Sequence, residues 1–312
     1  MPPRLMLLDT ASLYFRAFHG VPDTIRRSDG TPVNAVRGLM DMIARLVTEF
    51  EATSLIACWD DDWRPSWRVE LVPGYKAHRV EREVAGGPDI ETVPPGLTKQ
   101  IPLIREVLGL AGIAVVGAPE HEADDVIGTY AATADGPVDV VTGDRDLFQL
   151  VDDDRGIRVI YTARGMKNLE LVTDAVVVGK YRVLPDQYAD YATLRGDTSD
   201  GLPGVAGIGE KTAAGLLGEY GTLEGLLAAA TRGEPSPSVH AKLEAAADYL
   251  AVAPTVVEVV RDLDVPAPDE AGALLHPVTG ADRERLEELA EEWNLGGAVK
   301  RLLTALDAKT AG

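Results

Sequence analysis

Cysteine occurs once in this chain of 312 residues, at Cys58. No disulfide can therefore form within it, and a reducing, cytoplasmic setting is expected. The surrounding run SLIACW makes Cys58 a buried strand residue rather than a nucleophile. No apolar run approaches the ~20 residues needed to cross a bilayer, so no membrane partner is expected. The opening MPPRLMLLD carries one Arg and an apolar stretch too short for a secretory core. Positive charge is scarce: 30 Lys and Arg stand against 50 Asp and Glu, a net charge of −20. That total argues against a nucleic-acid partner, because phosphate binding ordinarily uses a basic face. The distribution is uneven, however. WRPSWR and YKAHRVERE, within residues 63–83, are basic or mixed, while many acids fall beyond residue 260. Local charge, not the total, must decide the partner.

Three short apolar runs read as buried parallel strands: RLMLL (4–8), SLIACW (54–59) and VDVVTG (138–143). Each is followed at once by an aspartate, Asp9, Asp60 and Asp144. Helical patterns lie between them, at 33–50 and 97–112. The alternation predicts an α/β fold with a mostly parallel central sheet flanked by helices. Parallel strands share one carboxyl edge, where open α/β sheets bind ligands, so the three aspartates should meet there.

A fourth run, IAVVG (113–117), precedes PEHEADDVIGTYAA (119–132), which sets Glu120, Glu122, Asp124 and Asp125 within six positions. In a helix Ala123, Val126, Ile127 and Tyr130 form its apolar face. A helix macrodipole favours acids at the amino end by only a few tenths of a kcal/mol each, too little to account for this crowding. TGDRDLFQL adds Asp146, and LRGDTSDGLPGVAGIGEKTAAGLL adds Asp197 and Asp200. The proposed cluster is thus Asp9, Asp60, Glu122, Asp124, Asp125, Asp144, Asp146, Asp197 and Asp200. Two unit charges 4 Å apart repel by ~4 kcal/mol at an effective dielectric of 20. Either several acids are protonated or divalent cations neutralise them. Oxygen donors without Cys or His partners select Mg²⁺ or Mn²⁺ over Zn²⁺, and paired ions of this kind hydrolyse phosphodiesters. Bland readings apply nearby: Asp152–Asp154 and Asp61–Asp62 are solvated surface acids, Glu120 a loop or cap residue, and His121 lacks a second histidine to ligate with.

Gly204, Gly207 and Gly209 lead into a helix without a preceding strand, which excludes a dinucleotide-binding turn. Two helices, at 186–196 and 209–221, joined by a tight glycine hairpin (203–217) fit better. Outward-turned backbone N–H groups, the helix amino end, Lys211 and Thr212 would grip a phosphate backbone without reading bases; the alternative is a plain interhelical turn. Residues 63–96 mix Arg64, Arg68, Lys76, His78, Arg79 and Arg82 with Trp63, Trp67 and Tyr75. A connection this long is usually functional or disordered, and cations interleaved with aromatics suit a nucleic-acid strand; Trp63 and Trp67 packing into the core is an equal alternative.

In order, LMLLDTASLYFRAFHG, GYKAHR, EHEADDVIG, VVTGDRDLFQLV and LRGDTSDGLPGVAGIGEKTA resemble the structure-specific 5′ nucleases. That family takes in flap endonucleases, phage 5′ exonucleases and the 5′-nuclease domain of bacterial DNA polymerase I. The resemblance spans nearly the whole chain and weakens only in the tail. It implies a first metal group of Asp9, Asp60, Glu122, Asp124 and Asp125 and a second of Asp144, Asp146, Asp197 and Asp200. Tyr75, Lys76 and Arg79 match a YKxxR at the base of a helical arch or clamp through which a 5′ single strand passes, with Lys76 facing the scissile phosphate and Tyr75 stacking on an unpaired nucleotide. The glycine hairpin matches a helix–hairpin–helix-type clamp on duplex DNA, which in relatives often binds potassium. Two departures stand out. DDWRPSWR is one residue longer than the family pattern, leaving Asp60 and Asp61 both eligible, with Asp60 favoured because it directly ends its strand. Gly201 replaces the usual Asn after the last Asp.

The expected organisation is a 5′-nuclease domain over 1–184, with its arch or clamp at about 63–96, and a helical DNA-binding region over 185–312. No polymerase segment follows, so a free-standing monomeric nuclease is expected. It would act as a 5′–3′ exonuclease and flap endonuclease in replication and repair, on DNA with a 5′ flap, nick, gap or free 5′ end, or on an RNA primer. The alternatives are a junction-binding protein that has lost catalysis and an aspartate-nucleophile phosphatase. The first predicts missing ligands, and the second a DxDxT that LLDTASL lacks.

Overall fold

The apolar runs become strands because each is buried on both faces. The computed structural model describes residues 4–84 and 87–309. Its strands are β1 (Leu5–Asp9), β2 (Ser54–Cys58), β3 (Val80–Arg82), β4 (Ile90–Glu91), β5 (Ala114–Val116), β6 (Val138–Thr142), β7 (Ile157–Tyr161) and β8 (Glu170–Val172). Six of them form one sheet in the order β5-β2-β1-β6-β7-β8, all parallel but for β8, which runs antiparallel to β7. The expected mostly parallel sheet with helices on both faces is present.

Side-chain alternation along β1 divides the core. Met6 and Leu8 face the helices Asn34–Glu49, Ile101–Leu110 and Gly296–Asp307. Leu5 and Leu7 face Ala123–Thr133, Tyr188–Arg195 and Glu210–Tyr220. The helix expected over 97–112 is broken into Pro95–Thr98 and Ile101–Leu110. Pro102 explains the restart, since a proline is tolerated in a first helical turn, where its missing N–H has no intrahelical partner to bond.

Two expectations are corrected. Among its described residues, segment 63–96 forms no helical arch. It holds a short helix (Ser66–Leu71), one 3-10 turn (Ala77–Arg79) and the β3–β4 hairpin. Pro65, Pro73, Gly74, Pro88, Pro94 and Pro95 punctuate it, and Asp89 draws it down. The Trp63 indole donates to the Asp89 carbonyl at 2.7 Å, and the Arg64 guanidinium pairs with the Asp89 carboxylate at 2.5 Å.

The second correction concerns the tail, which does not belong wholly with the hairpin helices as the 185–312 region would have it. After the helices between 237 and 257, the chain returns to β2. There Leu55 N–H bonds the Ala273 carbonyl at 2.8 Å, and Leu275 N–H bonds that of Thr53 at 2.9 Å. The helices Gly280–Glu292 and Gly296–Asp307 then close on the first unit. Val299, Leu302, Leu303 and Leu306 recur at helical spacing and must bury a stripe; they share a core with Leu39, Ile43 and Leu46. Among the described residues no helix is long and apolar enough to cross a membrane.

Candidate active site at the carboxyl edge of the sheet

Strand order reverses at β1, flanked by β2 and β6, and such a switch point opens a crevice beyond the strand ends. Asp9 lies opposite Cys58 in the β1–β2 register, so Asp60, two residues past Cys58, reaches the same edge, as does Asp144 beyond Thr142. Asp9 is held on both oxygens: Ser12 N–H donates to Oδ1 at 3.1 Å and the Thr142 hydroxyl to Oδ2 at 2.6 Å. Burial pushes its pKa up to about 7 against the Thr142 bond, and Asp60 and Asp144 add to the rise. Thr142 also accepts from Asp144 N–H at 2.9 Å, which ties the two strand ends together.

The Asp60 carboxylate accepts from Ala123 N–H at 2.8 Å, at the start of the Ala123–Thr133 helix, and burial raises its pKa, with Glu122 opposing its charge. Asp61 turns away. It lies 3.7 Å from Arg105 and packs so closely on Gly117 that a Cβ there would meet it at 2.5 Å. Asp60 is thus the residue placed at the edge. Asp62, expected at the surface, is buried and accepts from Arg64 N–H at 3.1 Å.

The helix carries the predicted apolar face, with Ala123, Val126, Ile127 and Tyr130 all buried. Its acids divide into two roles. Asp125 is committed on both oxygens: to Arg68 Nη1 and Nη2 at 2.8 and 2.7 Å, to Glu122 N–H at 3.2 Å, and to Val260 N–H at 2.9 Å. Both of its oxygens are thus spent within the protein, two of the four bonds coming from backbone N–H groups, and the side chain is fully buried. Glu122 accepts from Arg68 at 2.9 Å and from the Tyr75 hydroxyl at 2.6 Å, and it also pairs with the Lys76 ammonium. Asp124 faces Asp9 and Asp144; burial first, then these charges, raises its carboxyl well above the ordinary range. Arg68 was not singled out from the sequence as the counter-charge of this set. The only signal for it was an Arg in the basic WRPSWR stretch.

Asp144 Oδ1 accepts from Asp146 N–H at 2.9 Å. Asp146 Oδ1 is buried without a hydrogen-bond partner, and burial together with Asp144, Asp200 and Asp197 drives its carboxyl well up. Burial would also raise Asp197, but Ser199 bonds it through its hydroxyl and its amide, Arg195 lies at 3.1 Å, and the balance lowers its pKa. Asp200 accepts from Arg79 at 3.0 Å and lies 4.0 Å from the Lys76 ammonium. Gly201, at φ +72°, presses on Gly74: a Cβ would sit 2.3 Å from the Gly74 carbonyl oxygen. The departure from Asn at this position therefore closes the loop on the 74–76 turn, where Lys76 N–H bonds the Asp200 carbonyl at 2.9 Å.

Lys76 sits in the left-handed region at φ +47° with its stem buried. Burial alone would lower its pKa, but Asp200 and Glu122 hold it well above the usual value. Tyr75 departs from expectation. It is 4% exposed, packs with Val72, Leu202 and Val256, and spends its hydroxyl on Glu122, so its ring is not presented to a nucleotide.

Among the described residues no three acids already form a cation cage; Lys76, Arg79 and Arg195 pair with Glu122, Asp200 and Asp197. The donors nevertheless suit a hard divalent cation. All are carboxylate oxygens, one buried oxygen on Asp146 has no partner, and Asp9, Asp60, Asp124, Asp146 and Asp200 all have raised pKa values that added positive charge would relieve.

The glycine hairpin joins Tyr188–Arg195 to Glu210–Tyr220. Gly204 has φ +65°, and a Cβ there would lie 2.5 Å from Gly196 N; Gly207 has φ +78°. Both demand glycine for backbone reasons, whereas Gly209 is extended and caps the second helix. Lys211 and Thr212 are exposed on that helix's first turn.

Two family models match: the 5′-3′ exonuclease N-terminal resolvase-like domain over residues 4–182, and the 5′-3′ exonuclease C-terminal SAM fold over 183–278. A 5′-3′ exonuclease of Streptomyces coelicolor is 58% identical over 305 residues, covering 97% of this chain and 100% of that protein. One of Mycobacterium tuberculosis is 46% identical, covering 97% and 98%. The bacteriophage T5 5′-exonuclease, solved with zinc bound, superposes with a TM-score of 0.64 at 17% identity, covering 97% of this chain and 99% of that one. With its crevice of strand-end carboxylates and its glycine hairpin, the chain belongs to the 5′-3′ exonuclease family.

Proposed function

We propose that the chain hydrolyses DNA phosphodiesters at free 5′ ends and at single-strand/duplex junctions, as a 5′–3′ exonuclease and flap endonuclease in replication and repair, leaving a 5′ phosphate. The observation that carries this reading is the convergence of Asp9, Asp60, Asp124, Asp144 and Asp146 on one sheet edge, with Lys76 and Arg79 beside them. Those five, with Glu122, Asp197 and Asp200, would hold two divalent cations, Mg²⁺ or Mn²⁺ by donor chemistry. Asp125 serves instead as the anchor of Arg68. When bound, such ions supply Lewis-acid activation of water and of the leaving oxygen.

The chain's own groups do the rest. Thr142 and Ser12 orient Asp9, and Ala123 N–H orients Asp60. Lys76, now neutralising Glu122 and Asp200, is placed to turn to the scissile phosphate, and Arg79 offsets charge developing there. Lys211 and Thr212, at the start of the hairpin's second helix, position the duplex backbone. The chain acts as a monomer on 5′ flaps, nicks, gaps and RNA primers. Cleavage of a 5′-labelled flap duplex in Mg²⁺, Mn²⁺ or EDTA tests the reading. Metal-dependent cutting within a few nucleotides of the junction is expected; no cutting in either metal overturns it.

A further inference from the structure

The resemblance implies a potassium ion at the glycine hairpin, but a side chain already stands on the hairpin's carbonyl. Lys242 Nζ donates to the Gly207 carbonyl at 2.9 Å. The stem lies flat across the turn: a Cβ on Gly207 would meet Lys242 Cε at 3.1 Å and Nζ at 3.2 Å. Gly207 is therefore glycine both for its φ of +78° and for the room Lys242 takes. The placement is enforced from the core. Leu243, the next residue, is 3% exposed and shares a cluster with Val205, Ile208 and Ala213 on either side of the hairpin. The helix Pro237–Ala245 thereby docks against the turn and presents Lys242 to it.

We infer that the Lys242 ammonium is the hairpin's own cation, a DNA-backbone contact that takes the place of a monovalent ion. A left-handed glycine carbonyl at an exposed turn accepts either a free cation or a donor, and here a tethered ammonium fills it. The bond to Gly207 uses one of three N–H groups. The other two remain for a phosphate oxygen, beside a turn that leads within three residues into the Glu210–Tyr220 helix with its exposed Lys211 and Thr212. Tethering removes the need to capture an ion from solution and fixes positive charge beside the amino end of the Glu210–Tyr220 helix, where the macrodipole adds to it. The inference rests on the DNA-binding reading of the hairpin.

The test is the affinity of the full chain for a 5′-flap duplex, measured by fluorescence anisotropy in EDTA. Potassium, sodium and tetramethylammonium chloride are compared at equal ionic strength, and wild type is compared with Lys242→Ala and Lys242→Arg. Wild type should bind equally in all three salts. Lys242→Ala should bind roughly 3–10-fold more weakly, with its salt slope smaller by about 1, while Lys242→Arg keeps most of the affinity. An unchanged melting temperature for Lys242→Ala excludes misfolding as the cause. Wild-type binding that is stronger in potassium than in tetramethylammonium, or Lys242→Ala binding with unchanged affinity and slope, overturns the inference. Failure of wild type to bind the duplex in any salt overturns the DNA reading itself, and the inference falls with it.

Discussion

Two adjacent carboxylates, Asp124 and Asp125, should respond oppositely to the same change. Asp125 accepts four hydrogen bonds, two of them from the Arg68 guanidinium, and is fully buried. Asparagine offers one acceptor atom where two are engaged, so its amide must face a donor, and Arg68 loses half of its counter-charge. Breaking a buried ion pair from one side costs about 3–5 kcal/mol. At roughly 2 °C per kcal/mol for a chain of this length, Asp125→Asn should melt about 6–10 °C lower. Asp124 is held among Asp9, Asp144 and Glu122, whose charges oppose its ionisation. Asp124→Asn removes that repulsion, so its melting temperature in EDTA should stay level or rise, while metal-dependent cleavage falls by about 100-fold or more, since loss of even an outer-shell partner of a metal ligand costs about 10–100-fold. Scanning calorimetry in EDTA, paired with flap cleavage below the lower melting temperature, reads both. Asp125→Asn with an unchanged melting temperature and abolished cleavage would return Asp125 to the ligand set and refute the assignment.

Tyr75→Phe deletes the hydroxyl that donates to Glu122 and should cost about 1–2 kcal/mol of stability with flap affinity unchanged; a tenfold loss of affinity would mean that the ring stacks on DNA after all. Asp60→Asn should abolish cleavage, whereas Asp61→Asn, beside Arg105, should keep it within about twofold on the range typical of surface changes; the reverse order in a cleavage assay would exchange the two. Mg²⁺ at 100 times its dissociation constant should stabilise the chain by about 2.7 kcal/mol, raising the calorimetric melting temperature by about 5 °C, and EDTA should reverse the shift.

Strands β1, β2 and β6 were legible because burial on both faces leaves an unbroken apolar run, and β5 from its short apolar run, whereas β3, β4, β7 and β8 were not read; the strand-end aspartates followed from parallel geometry alone. The Ala123–Thr133 helix was legible from its periodicity, and both helices of the hairpin from the glycines that join them. What could not be read was which acids would already be spent. Arg68 lies 57 residues before Asp125, and no local pattern announces that the two pair. The stacking role of Tyr75 was implied by the YKxxR resemblance, yet the turn that aims Lys76 at Glu122 also buries the ring. Among the described residues of 63–96 no helical arch forms, and Asp89, a single acid in a Gly/Pro-rich stretch, ties the segment down through Arg64 and Trp63. The tail's return to the first unit depends on a surface offered by the Asn34–Glu49 helix, more than 200 residues earlier. Lys242 was hidden for the same reason: its partner is a backbone carbonyl in another element.

The central claim is that the carboxylates at this edge perform metal-dependent hydrolysis rather than only shaping a DNA-binding surface. It is tested most directly by measuring binding and cutting together in Asp144→Asn, on a labelled 5′-flap duplex with Mg²⁺. Asp144 lies beyond the end of β6 and within the field of Asp9, Asp124 and Asp146, so its loss should remove cleavage and leave duplex affinity at or above that of wild type. Cleavage persisting near the wild-type rate would contradict the account, because the reaction would then not run through these acids.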